Sequence, residues 1–383
     1  MAILRPVAIP SGPAASSALA DIHDILDGRT AALPVPADDP EQTSMLTTAL
    51  RAGAEIGDDI AVVLSTSGTT GPPKGALLTA RALVASAEAT HRRLGGQGRW
   101  LLALPAHHVA GFQVLVRSVV AGHDPVAVPP GVDAADLVAA VAALGSGRRY
   151  ASLVAAQLDK ALGHRPAIRA LAELDAVLVG GGPMPARIAQ KAAAEGISVV
   201  RTYGMSETAG GCVYDGRPLE GVGVRADPNG RISLCGPTIA SGYRNAVTPD
   251  PFAEPGWFRT DDIGTIDGSG VVTVLGRLDE AISTGGLTVL PQLVEAAVAT
   301  HPAVVECAVF GSDDDRLGQQ VVVAVVVEPG STVTLPELRA HVTASLPSTA
   351  APRRLHIVDR LPKRGIGKVD RRELARVFGS AQR

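Results

Sequence analysis

From Ile60 onward, short apolar runs alternate with stretches of helical spacing. Ile-Ala-Val-Val-Leu at 60–64 gives way to an Ala-rich stretch at 81–94, then to Trp-Leu-Leu-Ala-Leu-Pro at 100–105 and a further stretch at 111–121. Runs this short and this apolar suit strands buried on both faces, and the spacing between them is long enough for crossover helices. They predict parallel strands with helical connections. The texture returns at 150–154, 176–179 and 198–202, so the body reads as α/β. After Gly221 it changes to strand-and-turn segments such as Gly-Arg-Ile-Ser-Leu-Cys-Gly, Gly-Trp-Phe-Arg-Thr-Asp-Asp-Ile-Gly and Gly-Val-Val-Thr-Val-Leu-Gly-Arg, with Asn-Gly and Gly-Ser turn signals. A small β subdomain is expected there. Past Gly276, helices at 291–300 and 336–345 intersperse with strands at 304–310, 321–327 and 354–358, the pattern of a separate α+β domain. Residues 1–45 show weak periodicity and predict one helix, at 19–26. The expected division is therefore a large domain, 1–278, and a small one, 279–383.

Composition narrows the function classes. The chain has 383 residues, a formal net charge of -3 and 19% charged residues, so neither a nucleic-acid nor a membrane surface is expected. Its apolar runs are broken by Gly, Pro or charge before the roughly 18 residues of a membrane span. Residues 1–13 lack the pattern of a secretory signal, which makes the cytoplasm the expected compartment. Cys212, Cys235 and Cys307 form no CxxC pair, and the nine histidines show no HExxH spacing. His107 and His108 are adjacent. On a strand they would face opposite ways and could not share a metal.

The richest motif follows the run at 60–64. Ser65, Thr66, Ser67, Gly68, Thr69, Thr70, Gly71 and Lys74 combine hydroxyls, glycines and an ammonium in one loop, a set suited to wrapping polyphosphate oxygens. A Walker loop needs Gly-Lys-Ser/Thr, whereas Lys74 here stands between Pro73 and Gly75. The string resembles instead the phosphate loop of the adenylate-forming family, which includes acyl-CoA synthetases, luciferases and peptide-synthetase adenylation domains.

That resemblance implies a large N-terminal α/β domain with a small β subdomain, and a mobile C-terminal α+β domain. It also assigns roles along the chain. In Arg201-Thr-Tyr-Gly-Met-Ser-Glu-Thr208, Tyr203, Gly204, Met205 and Ser206 would lie along the nucleotide, and Glu207 would hold Mg²⁺ for ATP. Gly181 and Gly182, in the run from Gly180 to Pro183, match the family's adenine-side turn. Asp262 would bind the ribose hydroxyls. Its neighbour Asp261 stands where glycine is usual, and a left-handed turn is expected there because Asp tolerates that backbone better than most residues. Arg277 would bond ribose or phosphate and Asp279 would be the hinge. Gly285 and Gly286 would admit the pantetheine arm of coenzyme A. Lys368 would be the adenylation lysine, and with Lys74 it is one of only five lysines in the chain. In order, these motifs span about four fifths of the sequence.

The acid is read from a second set of residues. Leu104-Pro-Ala-His-His-Val-Ala-Gly111 is similar to a family segment that puts His108 between acyl pocket and CoA channel. Arg117 sits in the apolar run that follows. A buried arginine needs an anion or a good polar network. A second carboxylate on the substrate would supply the anion, as in o-succinylbenzoate; an internal Asp or Glu is the alternative. The segments 146–157, which carries Ser152, 210–216 and 282–292 resemble the o-succinylbenzoate-activating branch of the family, which serves menaquinone biosynthesis. The alternatives are another aryl- or acyl-CoA ligase and a stand-alone adenylation domain that loads a carrier protein. Compared with typical members the chain is short before the phosphate loop, and a homodimer contact is one expectation for what replaces the lost packing.

Overall fold

Successive residues of the apolar runs go to opposite faces, as a strand requires. Trp100 and Leu102 join one apolar cluster, while Leu101 and Ala103 join another. Tyr150 and Leu178 follow the first pair, and Ala151, Leu153, Val177 and Val179 the second. The computed structural model describes residues 1–66, 73–364 and 368–379, without the side chains of Arg364 and Lys368. Among these residues the runs form a seven-stranded sheet in the order Arg217–Pro218, Gly210–Tyr214, Val199–Met205, Ala176–Gly180, Arg149–Val154, Arg99–Leu102, Val126–Ala127. The strands from Val199–Met205 to Val126–Ala127 are parallel, and the first two are antiparallel additions. Helices Ala80–Arg93 and Val109–Ala121 cover one face. Helices from Ala134–Ala143 to Ala186–Ala194 cover the other.

A second sheet has the order Gly242–Tyr243, Ala76–Leu78, Val62–Leu64, Ala31–Pro36, Ala2–Ile9, Glu55–Ile56. One face shares the cluster that holds Trp100, and the other packs Leu4, Leu33, Val35 and Val63 against Leu46 of helix Pro40–Ala49. The helix expected at 19–26 is present as Leu19–Leu26. The strands Ala2–Ile9 and Ala31–Pro36, paired in parallel from Leu4↔Ala31 to Ile9↔Pro36, were not foreseen. Prolines hid them, because Pro in a run argues against a central strand. Here Ala32 donates its N–H to Ala61, on the side of Val62–Leu64. Pro34 and Pro36 have the same parity, so the N–H groups they lack would have faced beyond the single pairing Ala32↔Val62.

The chain divides into two compact units. The first comprises residues 1–225, 233–260 and 268–272, the second 226–232, 261–267 and 273–383. The segments expected as a β subdomain form a four-stranded sheet ordered Gly223–Ala226, Arg231–Cys235, Trp257–Ile266, Val272–Arg277. In the second unit, Val304–Asp314 and Gly318–Val327 pair along their length, flanked by Ile282–Thr284, Leu287–Val289 and Arg354–Ile357. Alternation works again. Val309, Val321, Val323 and Val325 face helices Pro291–Val298 and Leu335–Thr343, while Phe310, Val322 and Ala324 face Leu374 of helix Arg371–Phe378. This is the α+β fold read from the sequence. No described helix is long and apolar enough to cross a membrane.

Candidate active site

The segment from Tyr203 to Thr208 leaves a parallel strand and turns back sharply. Gly204 makes the turn feasible: a Cβ there would lie 2.1 Å from the Gly210 carbonyl oxygen. Thr208 braces it, its Oγ1 donating to the Gly210 carbonyl at 2.6 Å and accepting from the Met205 N–H at 2.9 Å. Ser206 Oγ donates to the Ser65 carbonyl at 3.1 Å, which joins this turn to the start of the phosphate loop. Glu207, only 8% exposed, accepts a hydrogen bond from the Tyr243 hydroxyl at 2.6 Å. Tyr203 is half-buried on its strand. Ser67, Gly68, Thr69, Thr70 and Gly71 lie outside the described residues.

At the far end of the loop, Lys74 holds its Nζ 5.4 Å from the centre of the Tyr243 ring. Thr66 Oγ1 is buried without a hydrogen-bond partner among the described residues. A buried carboxylate and an orphaned hydroxyl, joined through the Ser65–Ser206 contact, are hard oxygen donors of the kind that a magnesium polyphosphate takes. The residues fit that group. Gly181, left-handed at φ 82°, and Gly182, with open space around it, follow strand Ala176–Gly180.

Tyr243 escaped the sequence reading. The chain has only five Phe and four Tyr, yet Tyr243, Phe252 and Phe258 fall within one short stretch and stack in series, at 5.2 and 4.8 Å between ring centres. That concentration was the available signal.

The residues expected on the acyl side lie at the start of and along helix Val109–Ala121 and on strand Arg149–Val154. His108 is the residue before the helix and His107 precedes it. They are not on a strand, and their rings lie together at 4.2 Å, so the opposed-face expectation is corrected. Burial, then His108, lower the His107 pKa to about 4, with Asp39 pulling the other way. No group of His, Cys, Asp or Glu among the described residues is arranged to hold a metal ion by itself. Ser152 is buried on strand Arg149–Val154.

Arg117 is 3% exposed. Its Nη2 donates to the Tyr214 hydroxyl at 3.3 Å, its guanidinium carbon lies 4.9 Å from the centre of the Trp100 ring, and its Nε has no partner. Tyr214 in turn bonds Thr90 at 2.9 Å. Burial pushes the Arg117 pKa down while Tyr214 pulls it up. No described Asp or Glu forms an ion pair with it, so the alternative of an internal carboxylate partner finds no support.

In the second unit, Asp262 is 5% exposed on strand Trp257–Ile266 and accepts from Arg277 Nη1 at 3.3 Å. Arg277 grips Asp279 through a two-pronged contact, 2.8 Å at each prong. Burial opposes the Arg277 charge, but bonding to Asp279 and the fields of Asp262, Asp279 and Asp261 win, and its pKa is raised. Asp261 lies inside the strand and pairs with Arg231 at 2.7 Å. The described non-glycine residues with positive φ are Arg51, Val132, Ala209 and Asp215. The left-handed turn expected at Asp261 is therefore absent, because the strand runs straight through and gives its side chain an arginine. Gly285 and Gly286, at φ 58° and 80°, form the two-residue turn between Ile282–Thr284 and Leu287–Val289, which needs positive φ at both positions. Lys368 begins the short strand Lys368–Val369, paired with Lys363–Arg364.

Comparison with known proteins is consistent along the chain. The family described as AMP-binding enzyme matches residues 15–247, and the AMP-binding enzyme C-terminal domain matches 293–368. A relative from Mycobacterium tuberculosis, "Probable 2-succinylbenzoate--CoA ligase", is 61% identical over 380 residues, 98% of each chain. A "2-succinylbenzoate--CoA ligase" from a Geobacillus species is 33% identical over 84% of this chain and 70% of its own. Among solved structures, the o-succinylbenzoate coenzyme A synthetase of Bacillus subtilis in complex with ATP and magnesium ion shares the fold. Its TM-score is 0.80 at 24% identity, over 97% of this chain and 89% of that one.

Proposed function

The chain belongs to the AMP-binding enzyme family, and on that premise we propose that it is an AMP-forming ligase that joins 2-succinylbenzoate to coenzyme A through an acyl-adenylate. The substrate carboxylate attacks the α-phosphorus of ATP, and pyrophosphate leaves. The CoA thiol then attacks the acyl carbonyl, and AMP leaves with the pair of electrons from the broken C–O bond. The reaction belongs to menaquinone biosynthesis, and its need for ATP and coenzyme A favours the cytoplasm as its compartment.

Beyond the kinship with named 2-succinylbenzoate ligases, the observation that carries the choice of acid is the buried guanidinium of Arg117, which no described carboxylate neutralises. A substrate that keeps a ring carboxylate while its succinyl carboxylate reacts supplies the missing charge. On this reading Ser65, Thr66 and Lys74 hold polyphosphate oxygens and Glu207 holds Mg²⁺. Bound there, magnesium neutralises charge on the phosphates. Asp262 holds the ribose, with Arg277 beside it at 3.3 Å. His108 and Ser152 border the acid, and Gly285 and Gly286 pass the pantetheine arm. Lys368 stabilises charge that develops during adenylation, and residues 279–383 turn about Asp279 between the two steps.

The test is product analysis by mass spectrometry with ATP, CoA and a panel of aromatic and aliphatic acids. 2-Succinylbenzoyl-CoA and AMP should form fastest from 2-succinylbenzoate, and a different preferred acid overturns the substrate. Lys368→Ala should lose adenylation by about a hundredfold, the size seen when one preorganised charge at a transition state is removed. It should still form thioester from supplied acyl-adenylate, and equal loss of both steps overturns that role.

A further inference from the structure

The strand Gly242–Tyr243 pairs with Ala76–Leu78, directly after the phosphate loop, with Tyr243 opposite Ala76. The contact continues beyond it. Arg244 N–H donates to the Gly75 carbonyl at 2.8 Å, Asn245 N–H to Lys74 at 2.9 Å, and the Asn245 side-chain amide to Pro73 at 2.8 Å and Ala49 at 2.9 Å. Three successive residues of the loop's exit are thus held by one short segment. The same segment carries the tyrosine whose hydroxyl reaches Glu207 at 2.6 Å.

We propose that Tyr243 is a positioning residue for adenylation: its hydroxyl fixes the rotation of the Glu207 carboxylate relative to the exit of the phosphate loop, so that carboxylate and loop meet one Mg²⁺–polyphosphate together. The proposal rests on the reading of Glu207 as the magnesium ligand. A hydrogen bond to a charged acceptor is among the stronger ones, and at 2.6 Å it favours one setting of the Glu207 carboxylate. The ring that carries the hydroxyl packs edge-on against Phe252 at 5.2 Å, with Phe252 against Phe258 at 4.8 Å. Lys74 lies over the ring face, so tyrosine also orients the loop's one ammonium. A ligand set in place before the ion arrives avoids the ordering cost at binding.

The experiment measures binding, apart from turnover. Calorimetry of ATP with Mg²⁺, and of ATP with the metal chelated, is run on wild type, Tyr243→Phe, Glu207→Gln and the double variant. Tyr243→Phe keeps the stacking and the face toward Lys74 and removes only the hydroxyl. Affinity for Mg²⁺–ATP should fall about tenfold, the size of one hydrogen bond to a charged group, while affinity for metal-free ATP stays within about twofold. The Mg²⁺ concentration that half-saturates ATP–pyrophosphate exchange should rise by a similar factor. Glu207→Gln should give the larger loss, and adding Tyr243→Phe to it should change nothing further. Equal weakening of both nucleotide forms, or independent effects in the double variant, overturns the positioning role. If Glu207→Gln leaves the magnesium dependence intact, the reading of Glu207 fails and Tyr243 has nothing to position. Melting temperatures accompany each variant, and the metal-specific difference is a readout that loss of packing alone does not produce.

Discussion

Two arginines, the partly buried Arg371 and the buried Arg117, one in each compact unit, have opposite surroundings. Arg371, at the start of helix Arg371–Phe378, lies between two carboxylates. It reaches Glu280 at 3.0 Å and both oxygens of Glu295 at 2.8 Å, and its Nε donates to the Val309 carbonyl. Gln292 donates to the same Glu280 oxygen that Arg371 reaches, and Val309 N–H donates to Glu295. Every charge there is answered by the fold. Arg117 meets a phenol hydroxyl, an indole face and, nearby, the neutral imidazole of His91, with no carboxylate among the described residues. A fold that needs a cation for stability supplies its counter-charge, and a fold that keeps one for a ligand leaves the counter-charge to the ligand. The first arginine is structural on this criterion, and the second is the one proposed to meet the ring carboxylate of the acid.

The sharpest way to break the contrast is at Arg371. Arg371→Leu strands Glu280 and Glu295, whose side chains are 18% and 13% exposed, and burial already pushes the Glu295 pKa up against the pull of Arg371. Removing one partner of such a cluster costs about 3 kcal/mol. Urea denaturation should show that loss, and faster amide exchange in strand Val304–Asp314 should locate it. Glu295→Gln added to Arg371→Leu should recover part of it, since one stranded charge goes away. If Arg371→Leu matches wild type within about 0.5 kcal/mol, charge balance is not what separates the two arginines.

Only half of this comparison was legible in the sequence. Arg117 stood out because a cation interrupts a largely apolar helix, Val109–Ala121, rich in Val with Leu115 and Phe112. Arg371 sits in a run of charged residues, Asp-Arg-Arg-Glu at 370–373, and looks solvated; its partners come from 91 and 76 positions earlier, beyond the reach of any local pattern. The same limit explains the other successes and failures. Strands of the body such as Ala176–Gly180 were readable because residues on both faces are buried and the run is apolar. The two N-terminal strands carry Pro6, Pro34 and Pro36, and hid. Helix Pro40–Ala49 had a readable start, Asp39 capping the Gln42 N–H at 2.8 Å before a proline, that went unused. Nucleotide motifs are contiguous in sequence and could be quoted. Tyr243 reaches Glu207 across 36 positions and could not.

Arg117→Leu tests the other side of the contrast and should give a smaller effect of a different kind. Leucine retains apolar bulk and removes a charge that the fold does not neutralise, so stability should stay within about 1 kcal/mol of wild type or rise. Activity should fall selectively. kcat/KM for 2-succinylbenzoate should drop at least about tenfold, or 1.4 kcal/mol, while an analogue without the ring carboxylate keeps its value. Equal losses for both acids, together with a lowered melting temperature, would make Arg117 as structural as Arg371 and dissolve the contrast.

The smallest expected effect is electrostatic and reads the Arg117 charge without any substrate. His91 accepts a hydrogen bond from the Trp100 indole at 3.2 Å, and its pKa is lowered from 6.5 to about 4, first by burial and then by the Arg117 charge. An unfolded imidazole takes its proton near pH 6.5, whereas the folded one stays neutral until about pH 4. The unfolded state therefore binds more protons between those values. The stability that His91 contributes by staying neutral is complete above about pH 6.5 and is lost as pH falls toward 4. In Arg117→Leu the secondary cause is gone and burial remains, so the His91 pKa should rise only part of the way toward its ordinary value and the acid-side loss of stability should shrink accordingly. His107 serves as an internal reference. Its pKa is also about 4, but its causes are burial, His108 and Asp39, so its titration should be the same in both proteins. Histidine titration by NMR, alongside melting temperatures at pH 7 and pH 5, measures both. A His91 shift with His107 unmoved would show that the Arg117 charge is present and unscreened in the folded interior, as a residue waiting for an anion requires. No shift at either imidazole would mean that a counter-ion already compensates Arg117 in the free enzyme.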